Sequence, residues 1–387
     1  MNKPFPPDFI WGTSTASAQI ETPSAHNWRG VPSKDGYTFD RTTDHELRRD
    51  EDIEYITRFG SLYRCGVDWA RLQTAANADF DMAAVREYQN FFQKLNDRGT
   101  RIMFVFHHFT NPLWFEESGG WSDRHNNAYF LNYARQCVTH FGKYMFVINT
   151  FNEPNVYASN GYVLGNFPPF KRNIFKAIKV LNNMANCHNL LYEYLKKQLP
   201  DVEVGISLNT VAFKPLNLLG RVTAAVGDWW FNARPARLFS RTDFMGLSYY
   251  ALLPCAPMPI TEVDNAGELA RMGYRHDKMW AYYPEGLGEI IKRFYAIYKQ
   301  PIWITENGIC TADAAERIAS IEDYMSVLHD CIDSGIPVKG YTHWTTFDNF
   351  EWNLGPTYRF GLVEVDWDTK ARRITAAGLY YEQLAKG

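Results

Sequence analysis

The sequence predicts an α/β fold, a closed (β/α)8 TIM barrel, and three observations carry that prediction. Eight strand-like apolar runs alternate with helix-like stretches along the 387 residues, as expected for parallel strands joined by right-handed crossovers. Eight such units in a chain of this length favour a sheet that closes into a barrel. No glycine-rich phosphate loop follows the first run, which disfavours the alternative, a doubly wound open sheet. We therefore expect one catalytic domain over residues 1–387.

Each predicted strand is a short apolar run of strand length. In chain order the runs are FIWGTS (9–14), LYRCGVDW (62–69), RIMFVFHH (101–108), FVINTFNE (146–153), VEVGISLN (202–209), DFMGLSYY (243–250), PIWITENG (301–308) and VKGYTHW (338–344). The segments between them include helical patterns at 84–99, 189–199, 286–299 and 321–335. Strand and helix patterns therefore alternate from one end of the chain to the other.

The composition excludes several classes of function. A net charge of −3 argues against a nucleic-acid partner, because such proteins present basic surfaces. No run of about eighteen apolar residues is present, and the start MNKPFPPDFIWG lacks the apolar core of a signal peptide, so no membrane span is expected. The six cysteines are scattered without a CxxC pair, which predicts reduced thiols and a cytoplasmic location. Aromatic residues make up 16% of the chain, and their flat faces suit a sugar ring.

A barrel of this kind places its active site at the carboxyl ends of the strands. Nearly every predicted end carries a polar or aromatic side chain that can contact a ligand. These residues are Gln19, Glu21, Arg71, His107, His108, Asn152, Glu153, Asn209, Tyr250, Glu306, Asn307 and Trp344. A purely structural barrel would not need this distribution, so we expect a ligand pocket at this end.

Two glutamates in this set have the chemistry of a glycoside hydrolase. Glu153 in TFNEP ends the fourth strand and Glu306 in ITENG ends the seventh, so they face each other across the predicted barrel mouth. Glycoside hydrolysis uses one protonated carboxyl to assist the leaving oxygen and one ionised carboxylate to attack or to activate water. A separation of about 5 to 5.5 Å gives retention and a wider one gives inversion. The sequence alone leaves both outcomes open.

The expected neighbours of the two glutamates predict which of them carries the proton. We expect Arg71 and Tyr250 to lie beside Glu306, where a cation and a phenol favour the ionised carboxylate. Glu153 is expected in a drier setting, which raises the pKa of its carboxyl above the ordinary value. The charge of Glu306 raises the pKa of Glu153 further. Glu153 is therefore the predicted acid.

The motifs resemble those of glycoside hydrolase family one, the β-glucosidase family. FPPDFIWGTSTASAQIE near the start is similar to its amino-terminal signature, TFNEP to its acid/base motif and ITENGI to its nucleophile motif. GYTHWTTFDNFEW followed by YRFGLVEVD resembles its carboxyl-terminal sugar-binding segment, and VDWARL and FVFHHFTNPLWF match two further blocks. The matches run in order along the chain, which resembles a short member of the family.

The resemblance implies a retaining β-glycosidase that acts on a small-molecule β-glycoside or oligosaccharide. Glu306 is implied as the nucleophile, and Glu153 as the acid that later becomes the base. Asn152 is implied to hold the sugar 2-hydroxyl and Trp344 to stack under the ring. The other implied contacts are Gln19, His107 and Glu351 at the remaining hydroxyls, Trp352 beside them, Tyr250 and Arg71 at Glu306, and Phe360 at the pocket wall.

The same resemblance implies which sugars fit. A branch of the family that acts on 6-phospho sugars has serine where this chain has Glu351. An anionic Glu351 would repel a phosphate, so a non-phosphorylated glucoside, galactoside or fucoside is expected. Four positions depart from the usual family pattern, with Ser248 in place of Asn, Thr22 in place of Gly, Asp68 in place of Ser and His108 in place of a frequent Trp. The segment 210–242 looks shortened, which predicts an open entrance and weak aglycone selectivity.

Three alternatives remain open from the sequence. A transglycosylase on the same scaffold would pass the sugar to an acceptor hydroxyl instead of water. A catalytically silent sugar-binding barrel is disfavoured by the presence of both glutamates. A metal-dependent hydrolase is disfavoured because His107 and His108 show no HxxxH or HExxH spacing, so neither a metal nor another cofactor is expected. The oligomeric state is not predicted.

Overall fold

The computed structural model of the chain, which describes residues 4–387, contains a closed barrel of eight parallel strands paired in sequence order, with β8 returning to β1. The predicted (β/α)8 fold is therefore confirmed. The strands are β1 (Ile10–Ser14), β2 (Leu62–Gly66), β3 (Arg101–His107), β4 (Met145–Asn152), β5 (Glu203–Pro215), β6 (Phe244–Cys255), β7 (Ile302–Asn307) and β8 (Val338–Trp344). A small antiparallel pair, β9 (Val363–Val365) and β10 (Arg372–Ile374), lies near the end of the chain.

Helices connect the strands and pack around the barrel. They are α1 (Ser17–Ile20), α2 (His45–Ile56), α3 (Trp69–Leu72), α4 (Met82–Asp97), α5 (Leu113–Glu117), α6 (Asn127–Phe141), α7 (Pro154–Ser159), α8 (Ile174–Gln198), α9 (Leu218–Asp228), α10 (Arg234–Leu238), α11 (Glu268–Arg271), α12 (Pro284–Tyr298), α13 (Ala314–Asp333) and α14 (Ala376–Ala385). Short 3-10 turns occur at Gly120–Ser122, Arg124–Asn126 and Gly142–Tyr144, and π turns at Asn160–Leu164 and Trp229–Ala233. All four predicted helical segments lie in these helices, although their ends differ by several residues.

Helix α4 shows how the sequence specifies one of these elements. The Asp81 side chain accepts hydrogen bonds from the backbone amides of Ala83 and Ala84, which caps the first turn. Val85, Phe92 and other apolar residues recur at helical spacing and are buried against the barrel. The capping residue therefore sets the start of the helix, and the apolar residues set the face that packs against the barrel.

The amino-terminal half of the barrel interior is filled by side chains. Leu62, Met103, Val147, Phe244 and Trp303 form a separate apolar cluster there, one residue from each of five strands. A second, larger apolar cluster lies between the strands and the surrounding helices. Since the lower interior is packed, the space available to a ligand lies toward the carboxyl ends of the strands.

Strands β5 and β6 extend beyond the barrel, which the sequence did not predict. Their pairing continues from Val211 opposite Ala251 to Pro215 opposite Cys255, past the end of the other strands. The predicted strands ended at residues 209 and 250, although apolar residues continue to Phe213 in β5 and to Leu253 in β6. The segment 210–242, expected to be short, consists of this extension followed by α9, a π turn and α10.

All six cysteines are buried with free thiols, which agrees with the predicted reduced state. No helix among residues 4–387 combines the length and hydropathy needed to cross a membrane. The cytoplasmic location and the single catalytic domain remain predictions.

Candidate active site

A cavity of about 300 Å³ opens at the carboxyl ends of the strands. Glu153, Glu306 and Glu351 all line it, so the two glutamates selected from the sequence do meet in one pocket, together with a third carboxyl group. A larger cleft of about 810 Å³ lies outside the barrel, between β5, α9 and α12. Its two carboxylates are each held by another residue of the cleft, Asp228 by Arg293 at 2.8 Å and Glu289 by the Tyr283 hydroxyl at 2.7 Å. The smaller cavity, where three carboxyl groups meet, is therefore the candidate site.

Glu306 lies in β7 and is held by a cation and a phenol. Arg64 Nη1 donates to Glu306 Oε1 at 2.6 Å, and the Tyr250 hydroxyl donates to Oε2 at 2.8 Å. Arg64 is fully buried on β2 and also donates to Ser14 and Asn152. Burial raises the pKa of Glu306, whereas Arg64, Tyr250 and Asn152 oppose that rise. These contacts favour the ionised carboxylate.

Glu153 follows β4 and has a different environment. Its backbone adopts a left-handed conformation (φ 45°) that precedes α7, which starts with Pro154 at a position where a missing N–H is tolerated. Asn209 Nδ2 donates to Glu153 Oε1 at 2.9 Å, and no cation among residues 4–387 forms an ion pair with this carboxyl. Burial, followed by the charge of Glu306, raises the pKa of Glu153 to about 8. Glu153 therefore holds a proton near neutral pH.

Asn152 and His108 lie between the two carboxyl groups and the pocket wall. Asn152 Oδ1 accepts from Arg64, and its Nδ2 donates to His108 Nε2 at 2.9 Å. Burial, followed by the Arg64 charge, lowers the pKa of His108, so the ring is neutral and its Nε2 can accept. His108 Nε2 also lies 4.0 Å from Glu306 Oε1. Both side chains are therefore positioned beside the carboxylate of Glu306.

Glu351 lines the cavity and is hydrogen-bonded by Gln19, which lies behind it and is not itself a lining residue. Gln19 Nε2 donates to Glu351 Oε2 at 3.3 Å and to Asn349 Oδ1 at 3.1 Å. Gln19 Oε1 is buried and has no hydrogen-bond partner, so it can accept from a ligand hydroxyl. Burial, followed by the charge of Glu306, raises the pKa of Glu351 to about 8. Glu351 is therefore largely protonated at neutral pH, which differs from the anionic state expected from the sequence.

The remaining walls of the cavity are aromatic. Trp344, Trp352, Tyr250 and Phe360 all line it and are almost completely buried. The His108 ring lies 5.8 Å from Trp344 and 5.9 Å from Trp352, between centroids. A pocket with aromatic faces and a few hydrogen-bonding groups suits a polyhydroxylated ring with apolar C–H faces.

The predicted position of Arg71 is wrong. Strand β2 ends at Gly66, three residues earlier than expected, and Asp68 caps the short helix α3 by accepting from two backbone amides. Arg71 therefore lies on a helix beyond the barrel, where its guanidinium contacts Glu87 and lies 3.6 Å from Glu21. The cation at Glu306 is Arg64 instead.

The predicted contact of His107 is also wrong. Successive side chains on a strand point to opposite faces, and His107 points outward to Asn111, with 2.9 Å between Nε2 and Oδ1. Its ring packs among aromatic residues such as Trp121 and Phe151. Burial lowers its pKa to about 4, so it is a neutral core residue. His108, the next residue, lines the cavity in its place.

Three residues with a position in the site were not assigned there from the sequence. Arg64 lies inside a strand and could be found by following the inward-facing alternation of LYRCG instead of the strand end. Asn209 was recognised as a strand end without a role. Ser248, noted only as a departure from the family, hydrogen-bonds Glu153 and lies 3.1 Å from the Ser207 hydroxyl. No group of three or more potential metal ligands occurs in the part of the chain that the structure describes.

Curated relatives of the chain are glycosidases of similar extent. β-Glucosidase A of Thermotoga maritima is 28% identical over 443 aligned positions, covering 99% of this chain and 98% of that protein. Because this chain has only 387 residues, it is shortened relative to that enzyme. The β-galactosidase of Saccharolobus solfataricus is 27% identical, covering 81% of this chain and 72% of that one. A 6-phospho-β-galactosidase of Clostridium acetobutylicum is 25% identical, covering 98% and 97%.

The solved structures that are similar to this chain are also β-glycosidases. A β-glycosidase from Pyrococcus horikoshii superposes with a TM-score of 0.88 at 29% identity, covering 100% of this chain and 96% of that one. A β-glucosidase from Thermotoga maritima in complex with castanospermine gives 0.90 at 25% identity, covering 99% and 98%. The family model for glycosyl hydrolase family 1 matches residues 1–225 and 231–387. The chain therefore belongs to glycosyl hydrolase family 1 and is a glycosyl hydrolase of the β-glycosidase type.

Proposed function

We propose that the protein is a retaining β-glycosidase that hydrolyses non-phosphorylated β-D-glycosides, with Glu306 as nucleophile and Glu153 as acid and base. The observation that carries the proposal is the asymmetry of the two carboxyl groups. Arg64 lies 2.6 Å from Glu306, whereas Glu153 has only amide and hydroxyl donors and a pKa raised to about 8. Such a difference assigns one ionised and one protonated carboxyl to the same pocket.

The reaction would proceed in two displacements. Glu306 attacks the anomeric carbon while Glu153 gives its proton to the leaving oxygen, which forms a covalent glycosyl ester and releases the aglycone. When Glu306 becomes an ester, it loses its charge, and the pKa of Glu153 falls because the repulsion disappears. Glu153, now ionised, takes a proton from water, which attacks the same carbon and regenerates the Glu306 carboxylate. Two inversions give net retention.

The sugar would be bound by the polar and aromatic groups of the cavity. Asn152 and His108 lie beside Glu306 and can contact the 2-hydroxyl and its neighbour. Gln19 and Glu351 form the second hydrogen-bonding group, and Trp344, which lines the cavity, would stack under the sugar ring. Asn152 and Gln19 each offer an amide, so several hydroxyl configurations can be accommodated.

The proposed preference for a non-phosphorylated sugar rests on Glu351. A carboxyl group, protonated or ionised, cannot neutralise a phosphate dianion. The lysine that lines the cavity, Lys34, lies at the rim and pairs with Asp264 at 3.0 Å. Relatives include a β-glucosidase, a β-galactosidase and a 6-phospho-β-galactosidase, so glucosides, galactosides and fucosides are all candidates.

The proposal is tested with nitrophenyl β-glucoside, β-galactoside, β-fucoside and 6-phospho-β-glucoside, following the product anomer by proton NMR. We expect the β anomer first, and no turnover of the phosphorylated substrate. Glu306→Ala should abolish activity, and azide should then yield the α-glycosyl azide, whereas Glu153→Ala with azide should yield the β-azide. The α anomer as first product, or equal activity in Glu306→Ala, would contradict the proposal. An added acceptor alcohol measures transglycosylation in the same reactions.

A further inference from the structure

Helix α9 has the reverse of the usual amphipathic arrangement. Leu218, Leu219, Val222, Val226 and Trp229, at the helix and its end, all face solvent and are between 51% and 76% exposed. Their spacing of three and four residues places them on one face. Surface helices normally turn this apolar face toward the core. A contiguous exposed stripe of large apolar residues is typical of an interaction surface.

The opposite face of α9 explains why the helix is held in this orientation. Gly220 and Ala224 are its buried residues. A Cβ at Gly220 would lie only 2.0 Å from the Cys255 carbonyl oxygen, and one at Gly227 would lie 2.8 Å from the Phe213 ring. Only small residues permit this close approach to the extension of β5 and β6. The large side chains are therefore excluded from the inner face and remain outside.

A second exposed apolar group lies at the start of α8. Phe170 is 50% exposed and Phe175 is 80% exposed. A hydrogen bond connects the chain segments that carry the two groups. Trp230, in the π turn that follows α9, donates to the hydroxyl of Ser159, which immediately precedes the π turn that ends at Leu164, at 2.9 Å. Of the nineteen large hydrophobic side chains exposed among residues 4–387, eleven lie between Leu164 and Trp229. We call the exposed side chains of α9 and of the α8 start the apolar face.

The two chain segments that carry the apolar face contain mostly positive charges. From another element, Glu289 on α12 lines the cleft beside α9, where it accepts a hydrogen bond from the Tyr283 hydroxyl. Residues 160–190 and 211–238 contain eight Lys or Arg and a single acidic residue, Asp228, which Arg293 pairs at 2.8 Å. None of the eight cations forms an ion pair with a carboxylate among the residues that the structure describes. Because the whole chain has a net charge of −3, the rest of the molecule is strongly negative. Lys171, Arg172 and Lys176 are exposed beside Phe170 and Phe175.

The apolar face adjoins the mouth of the cavity. Helix α9 begins shortly after the carboxyl end of β5, and α8 follows the carboxyl end of β4 after α7 and a π turn. The carboxyl ends of the strands form the catalytic end of the barrel. Leu164 and Phe231, one from each π turn, line the cavity, and Leu164 is also 50% exposed. Apolar surface therefore continues from the pocket rim onto the outside of the molecule.

We propose that the apolar face, with its basic surround, docks the enzyme on the surface of an anionic phospholipid bilayer. Exposed Leu, Phe and Trp side chains enter the boundary between headgroups and acyl chains, while Lys and Arg meet the lipid phosphates. The docked molecule turns its cavity mouth toward the bilayer, where it can receive glycosides whose aglycone is embedded in lipid.

A second copy of the chain is a poorer occupant of the same face. Two apolar faces brought together would also bring together two sets of unpaired cations, and like charges across an interface oppose association. An anionic bilayer instead neutralises all of them at once. Charge complementarity therefore selects the lipid surface.

The test is flotation of the full-length protein with vesicles of phosphatidylcholine alone or with phosphatidylglycerol, at low and high salt. We expect binding only to the anionic vesicles, and release by salt. Leu218→Gln/Leu219→Gln/Val222→Gln should lower the vesicle partition constant at least tenfold. Lys171→Gln/Lys176→Gln should lower it by about fivefold for each charge removed.

Two control variants carry the same kind of change elsewhere. Ile297→Gln and Leu379→Gln remove exposed apolar side chains on α12 and α14 and should leave the partition constant unchanged. Hydrolysis of a soluble nitrophenyl glycoside should be the same in all variants, which shows that they are folded and separates this test from the catalytic proposal. Absence of binding to phosphatidylglycerol vesicles, or equal binding by the α9 variant, would overturn the proposal. A dimer in sedimentation velocity that the α9 variant abolishes would also overturn it, in favour of a second copy.

Discussion

The surroundings of Glu306 and Glu153 differ in one respect that decides their chemistry. Both side chains are buried at the carboxyl ends of strands and line the same cavity. Glu306 is bound by the buried guanidinium of Arg64 and by a phenol, whereas Glu153 is bound by Asn209 and Ser248. A cation stabilises only the ionised form, while neutral donors in a dry site leave the proton in place. The comparison shows that the charged and hydrogen-bonding partners of a buried carboxyl group, rather than its burial, determine whether that group is protonated.

The third carboxyl group supports the same conclusion. Glu351 shares the cavity and, like Glu153, has neutral donors and a pKa raised to about 8. With one buried cation for three carboxyl groups, the negative charge of the site resides on Glu306, the residue that Arg64 contacts. The following predictions test this comparison from the largest expected effect to the smallest.

Replacing the cation should remove the difference between the two carboxyl groups. In Arg64→Met, Glu306 loses its partner and takes up a proton, so kcat/KM should fall by about a thousandfold. The acid limb of the pH–rate profile should move to higher pH, because more hydroxide is needed to ionise the nucleophile. Arg71→Met is the matched control and should stay within about threefold of the parent. Equal losses in both variants would show that Arg64 does not act through Glu306.

Replacing His108, the histidine that lines the cavity, tests the contacts around Glu306. His108→Ala removes a contact to Asn152 and to the sugar position, and kcat/KM for a nitrophenyl glycoside should fall by about a hundredfold. His107→Gln removes the adjacent imidazole ring, which is buried in the core, so we expect a lower melting temperature but an unchanged KM. If His107→Gln changed KM and His108→Ala did not, the placement of the two rings would be reversed.

The alkaline limb of the pH–rate profile tests whether Glu153 carries the catalytic proton. Since Glu153 must be protonated for the first displacement, kcat/KM should fall as pH rises through about 8. Asn209→Ala removes a donor that favours the ionised form, so this limb should move to higher pH and kcat should fall by about tenfold. The acid limb should not move, because Glu306 keeps its partners. A shift of the limb to lower pH would contradict the role given to Asn209.

The free energy of unfolding should show the cost of the raised pKa. A buried carboxyl whose pKa is raised binds its proton more tightly when folded, so the native state loses stability as pH rises from about 4.5 to about 8. Glu153→Gln cannot ionise and should be more stable than the parent by about 5 kcal/mol at pH 9, with no difference near pH 4. Denaturant unfolding at the two pH values measures this, and an equal difference at both would contradict it.

The sequence predicted the architecture because that information is local and repeated. Each of the eight apolar runs coincides with a barrel strand, even where the ends differ by several residues. Glu153 and Glu306 were identified by the same means, since each ends a strand and all strand ends of a parallel barrel meet at one face. The extension of β5 and β6 was missed, although the apolar pattern continues to Phe213 and Leu253, because pairing of two strands beyond the barrel is a tertiary contact that neither run shows by itself.

The sequence by itself therefore determined the fold class, the catalytic end of the barrel and the pair of glutamates. Only the tertiary structure decided which cation reaches Glu306 and which histidine faces the cavity. Arg64 and Arg71 are seven residues apart, and His107 and His108 are adjacent, so residue type alone does not separate them, and the strand alternation does so only once the strand ends and the inward face are known. The direction of each side chain depends on where its strand ends and on which face of the sheet it lies. Both are determined only when the sheet closes into a barrel and buries one face.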